Sequence, residues 1–84
     1  MIKKNAKKIL NYMLKQAISI GDLNESFSIR YDTLFKELNF ESENYCRICF
    51  QYLHEFHYID IVDEDNGNRL VCLKAAGIDF LESN

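Results

Sequence analysis

The chain contains no proline and only three glycines in 84 residues. Without Pro- or Gly-rich stretches it has no linker composition, and no low-complexity tract or internal repeat interrupts it, so a single domain over residues 1–84 is expected. No run approaches eighteen consecutive apolar residues, which argues against a membrane-spanning helix. The opening MIKKNAKKIL breaks into charge too often for the apolar segment of a signal peptide. Cysteine is scarce and odd in number, three in all, with two inside one expected helix. That usage suits a reducing compartment better than a disulfide scaffold, so a soluble, cytoplasmic protein is expected. A Gly-rich phosphate loop is missing, as is any Ser or Cys nucleophile beside a His and a carboxylate in a strand-turn-helix context. Neither an enzyme nor a cofactor is expected.

What is present is apolar and aromatic: 48% hydrophobic residues, with six Phe and five Tyr. A chain this short lies near the lower size at which one core is stable without metal or disulfide, and this content can supply that core. Abundant Ile and Asn suit an AT-rich bacterial or phage genome. Charge is uneven. Residues 1–42 hold seven Lys/Arg against five Asp/Glu (net +2), and residues 43–84 hold three against eight (net −5).

Along the chain, Ala6, Ile9, Leu10, Met13, Leu14 and Ala17 recur at helical spacing, with Lys3, Lys4, Lys7, Lys8, Asn11 and Lys15 largely opposite. ISIGDLNES then breaks the helix. Phe27 and Ile29 alternate with polar residues as in a half-buried strand. A second helix follows, with Asp32 as its cap and Leu34, Phe35 and Leu38 toward the core. After a turn at residues 39–41, Ser42 caps a long helix. Its expected buried stripe is Tyr45, Ile48, Cys49, Tyr52, Leu53 and Phe56; its expected outward side is Glu43, Asn44, Arg47, Gln51, His54 and Glu55. Tyr58, Ile59, Ile61 and Val62 lead to Asp65-Asn66-Gly67-Asn68, a tight-turn signal, and Leu70, Val71 and Leu73 return. Ile78 and Leu81 lie one turn apart on a short closing helix.

RICFQYLHEFHYIDI resembles the third helix and first wing strand of small bacterial winged-helix proteins. LKAAGIDFLES is similar to their closing segment, with Lys74 where Thr is more usual. The resemblance covers roughly residues 5–82 and implies a mostly helical α+β winged helix-turn-helix: a three-helix core, a short first strand, a β-hairpin wing and a short C-terminal helix. It also implies duplex DNA as partner, read by the third helix in the major groove, as by a small transcriptional regulator. On this chain the base-reading positions are Asn44, Arg47 and Gln51, since Arg suits guanine and Asn or Gln suits adenine. Ser42 and Tyr31 are placed to donate to phosphate, with Arg30, Lys36 and Arg69 adding charge.

Against that stand Asp63, Glu64 and Asp65 at the wing and Glu41 and Glu43 beside the third helix, all poor neighbours for phosphate. The Lys3, Lys4, Lys7, Lys8 cluster can supply attraction instead, or simply be a solvated face. The alternative is a winged-helix protein-interaction module, an accessory or inhibitor protein using the acidic wing and third helix. A homodimer is expected, because Tyr12, Ile18, Ile20, Leu23 and Phe50 are apolar positions that one monomer's core need not use. Cys46-x-x-Cys49 followed by His54-x-x-His57 has the residue types of a zinc site. All four lie on one helix, however, so no metal is expected. Neither the CxxC pair as a redox centre nor Asp60, Asp63, Glu64 and Asp65 as a calcium loop has the required context.

Overall fold

The computed structural model describes residues 1–65 and 68–83. It is an α+β arrangement of four helices and one three-stranded antiparallel sheet, compatible with a winged helix. The elements are α1 (Ile2–Ile20), β1 (Phe27–Arg30), α2 (Tyr31–Glu37), α3 (Glu43–Glu55), β2 (Ile59–Asp65), β3 (Asn68–Leu73) and α4 (Ala75–Glu82). The expected Asn66-Gly67 turn lies outside the described residues.

Local chemistry sets the boundaries. α1 stops at Gly21, whose φ of 82° is left-handed; its N–H and that of Asp22 donate to the Ala17 carbonyl oxygen at 2.8 and 3.3 Å. Such closure satisfies carbonyls that the helix end leaves free. At the start of α3 the Ser42 hydroxyl accepts from the Tyr45 N–H at 3.0 Å, the cap anticipated from sequence. Asp32 does not cap α2. It sits in that helix's first turn, and its carboxylate instead accepts from Arg30 Nε and Nη2 at 3.1 and 2.9 Å. α3 ends through His57, which takes φ 59°. The His57 N–H donates to the His54 carbonyl oxygen and the Tyr58 N–H to that of Leu53, both at 3.0 Å.

The sheet order is β1-β3-β2, so β3 is central and β2 and β1 are edges. Ile29 faces Arg69 in the β1–β3 ladder, and Glu64 faces Arg69 in the β2–β3 ladder. Between Ile61 and Asp63 the register slips by one residue, a bulge at Val62. Among the described residues no helix is long and apolar enough to cross a membrane.

The core joins α1 (Ala6, Ile9, Leu10, Met13), the sheet (Ile29, Ile59, Val71, Leu73), and Tyr31, Leu34 and Phe40 with one face of α3. That face is Cys46, Cys49, Phe50 and Leu53, all fully buried. It is turned from the expected stripe. Ile48 and Phe56, expected inside, are 47% and 54% exposed, and Phe50, expected to be spare, is enclosed. The cause is volume: the Phe50 ring fills the space beside Tyr31, with ring centroids 5.1 Å apart, whereas small Cys side chains occupy the adjoining positions. Tyr12 is also half-buried against the core rather than free.

Candidate functional site

α3 and the β2–β3 hairpin diverge around an open cleft of about 410 Å³, lined by Tyr31, Arg47, Gln51, His54, Glu55, Ile61, Val62, Asp63, Glu64 and Arg69. The topology makes this cleft. Because β3 lies between β1 and β2, Arg69 is delivered beside the β1–α2 junction, and α3 brings Arg47 from the other side. The two guanidinium carbons sit 5.0 Å (Arg47) and 4.9 Å (Arg69) from the Tyr31 ring centroid. An aromatic face attracts cations at that separation, which orders both side chains.

Each arginine on this side is also held by a carboxylate. Arg69 Nε lies 3.1 Å from Glu64 Oε1 and Arg47 Nη2 lies 3.4 Å from Glu43 Oε2, while outside the cleft Arg30 Nη2 lies 2.9 Å from Asp32 Oδ2. Arg30 also donates to Asn68 Oδ1 at 3.3 Å. The arginine bonds hold the Asp32 carboxyl below the ordinary carboxylate range, while burial pushes the Tyr31 hydroxyl up, partly offset by Arg69 and Arg47. Beyond those pairs, Glu55 and Asp63 line the cleft, whereas Asp60 and Asp65, opposite Cys72 and Asn68, stand on the other face of the sheet. Negative charge dominates this side of the molecule.

Of the eight residues singled out from sequence, Tyr31, Arg47, Gln51 and Arg69 converge on the cleft. Tyr31 is 4% exposed and forms the floor of the cleft. Asn44 is exposed on α3, as is Gln51. Ser42 is occupied as a cap, Arg30 is paired with Asp32, and Lys36 stands on α2 with its Nζ 5.9 Å from the Phe35 ring centroid. None of those four lines the cleft.

Two apolar side chains that the sequence reading did not offer as site residues are exposed: Ile48 on α3, expected inside, and Val62 at the bulge, which lines the cleft and is 54% exposed. A usable signal for Ile48 existed. Seven of the thirteen α3 residues are apolar or aromatic, more than one buried face holds.

The Cys–His series does not converge. Cys46 and Cys49 are buried, with the Cys46 thiol pushed up to about 12 by burial and Cys49 also raised, while His54 and His57 are exposed. Among the described residues no group of three or more His, Cys, Asp and Glu could hold an ion. The N-terminal lysines point elsewhere. Lys3 and Lys7 place their Nζ atoms 5.7 and 5.0 Å from the Phe80 ring centroid, and Lys7 donates to the Ser83 carbonyl oxygen at 2.9 Å. Phe80 in turn stacks on Tyr58 at 4.4 Å, and Tyr58 on Phe56 at 5.5 Å.

Comparison of the chain with protein-family models, with curated proteins and with solved structures returns no match.

Proposed function

We propose that this chain is a winged-helix interaction module that docks on a basic protein surface through α3 and the β2–β3 hairpin. One observation supports the reading: both arginines of the cleft, Arg47 and Arg69, are paired with carboxylates, and the acidic groups around them outnumber them. The Arg47–Glu43 pair is a weak barrier, since exposed ion pairs are worth only about 0–1 kcal/mol each, whereas the Arg69 side chain, 13% exposed, is held in place by burial as well. The decisive point is what exchange leaves behind. Moving Arg47 or Arg69 to a phosphate strands Glu43 or Glu64 within a Debye length, about 8 Å, of that phosphate. Affinity for duplex DNA comes mainly from cations that displace counterions, and here each contact is opposed. A cationic protein surface gains from the same carboxylates. Ile48 and Val62 add exposed apolar contact area.

Duplex DNA remains the second reading, favoured by Asn44 and Gln51. Both are exposed on α3 and have the chemistry to read adenine.

Two measurements separate the readings. In the first, fluorescence anisotropy with random duplex DNA at low and moderate salt is expected to give no steeply salt-dependent binding. Such binding, weakened by Arg47→Ala, would reverse the conclusion in favour of DNA. In the second, a random peptide library displayed against the immobilised chain is expected to enrich sequences with interleaved basic and apolar residues. Their binding should be lost in Ile48→Asp and in the double variant Asp63→Lys/Glu64→Lys.

A further inference from the structure

Away from the cleft, three aromatic rings form a column. Tyr58, just before β2, is stacked both on Phe80 of α4, with centroids 4.4 Å and planes 11° apart, and on Phe56 at the end of α3, at 5.5 Å and 13°. Tyr52 meets both outer rings at tilts of 56° and 52°, so it flanks the column instead of closing it. One end is capped by cations, because Lys3 and Lys7 place their Nζ atoms 5.7 and 5.0 Å from the Phe80 ring centroid. The other end is open: Phe56 is 54% exposed. None of the three stacked rings lines the α3–hairpin cleft.

Shape and charge together define the occupant. The open end offers a flat apolar face that continues a run of near-parallel rings, which suits another planar ring. Positive charge lies along the rest of the column. Lys4 shares a shallow groove with Lys3 and Lys7, and Lys74 is tied to the rings through its N–H, which donates to the Tyr58 carbonyl oxygen at 3.2 Å. Those four lysines outnumber Glu55, Asp79 and Glu82, the carboxylates next to the rings in sequence. Among the described residues the ion pairs all belong to arginines, so these lysines are available to an anion. Duplex DNA has the charge but keeps its bases paired and stacked inside, and an anionic lipid surface has the charge but no ring to stack. A single strand of nucleic acid brings a planar base and a phosphate at every residue, the combination that aromatic platforms flanked by cations take up.

We infer that the Phe56–Tyr58–Phe80 column is a stacking site for a base of single-stranded nucleic acid, with the neighbouring phosphates drawn to Lys3, Lys4, Lys7 and Lys74. The charge excess is small, so association is weak, roughly 1–100 μM.

Fluorescence anisotropy at low salt with two labelled probes of equal length, about 12 nucleotides, tests this: a thymine single strand and the same strand without bases. The thymine strand is expected to bind at least about fivefold more tightly than the abasic one, and Phe56→Ala to remove that preference. The chain has no tryptophan, so Phe56→Trp supplies a unique fluorophore at the open end, which the thymine strand should quench and the abasic strand should not. The double variant Lys3→Glu/Lys4→Glu should weaken both strands about equally and flatten the salt dependence. Acidic residues suit the first turn of a helix, so this variant keeps its fold, and circular dichroism checks each variant. A wild-type chain that binds neither strand, equal affinity for the two strands, a Phe56→Ala variant that keeps the preference, or binding to phosphatidylserine vesicles in place of the thymine strand overturns the inference. Neither a basic peptide nor a cleft residue enters the test, so its outcome is separate from that of the docking function proposed above.

Discussion

Substituting Gly77 by alanine separates two opposing effects. On an open helix, replacing Gly by Ala is favourable by about 1 kcal/mol, because Gly loses more backbone freedom on folding. Gly77 is not on an open helix. A Cβ built there falls well inside van der Waals distance of the Tyr58 carbonyl oxygen and 3.1 Å from both the Tyr58 carbonyl carbon and Leu73 Cδ1. The oxygen cannot easily retreat, because it accepts the Lys74 N–H at 3.2 Å, the bond that ties the start of α4 to the start of β2. Overpacking of a fitted site costs about 1–3 kcal/mol, and backbone on one side of the clash puts this case toward the upper end. The net expectation is destabilisation by about 1–2 kcal/mol, or roughly 5–15 °C in Tm for a domain of this size. Urea denaturation should show a lower midpoint at unchanged slope. Near-ultraviolet circular dichroism should report disturbance of the Tyr58–Phe80 stack, whose planes lie 11° apart. An alanine variant as stable as wild type, or more so, would refute the argument from close approach. Gly21→Ala is the contrasting case: nothing lies within 4 Å of its Cβ, so its cost, about 1–2 kcal/mol, comes from the left-handed backbone alone.

His57→Gly should raise stability by about 0.5–1 kcal/mol by relieving a side chain held at φ 59°, and a lower urea midpoint would contradict this. Ser42→Ala should cost about 1 kcal/mol through loss of the cap on α3, with Ser42→Asp retaining most of the stability. Phe50→Ala should cost about 3–5 kcal/mol, since it empties the site beside Tyr31. Stability should also fall on the alkaline side. The unfolded chain releases the Cys46 proton near its ordinary value of 9.0, whereas the folded chain holds it to about 12, so the native state binds more protons between those values and loses ground as pH rises. Unfolding midpoints from pH 7.5 to 11 test this, and Cys46→Ala should flatten the decline.

Local features were legible because they depend on neighbours in sequence. Ser42 stands directly before an apolar-rich run, and Gly21 directly after one, so cap and stop follow from backbone chemistry alone. Asp32 looked equally suitable as a cap, but α2 begins one residue before it, so Asp32 lies in the first turn and its carboxylate pairs with Arg30. For α3, two apolar stripes overlap. Spacing cannot say whether Ile48 or Phe50 turns inward, because tertiary volume beside Tyr31 decides it. The cleft was the least legible part. Tyr31, Arg47 and Arg69 lie far apart in sequence and meet only because the third strand inserts between the other two.

That strand order has one more consequence. β2 leaves one row of backbone donors and acceptors unpaired at the margin of the sheet. Exposed rows of this kind template the addition of further strands from other molecules. Asp60, Asp63 and Asp65 are exposed along β2, and the kink at Val62 bends it. Replacing these aspartates by threonine or valine would therefore put colloidal behaviour at risk before it altered the fold itself, and slow growth of thioflavin-positive fibrils is the outcome to expect.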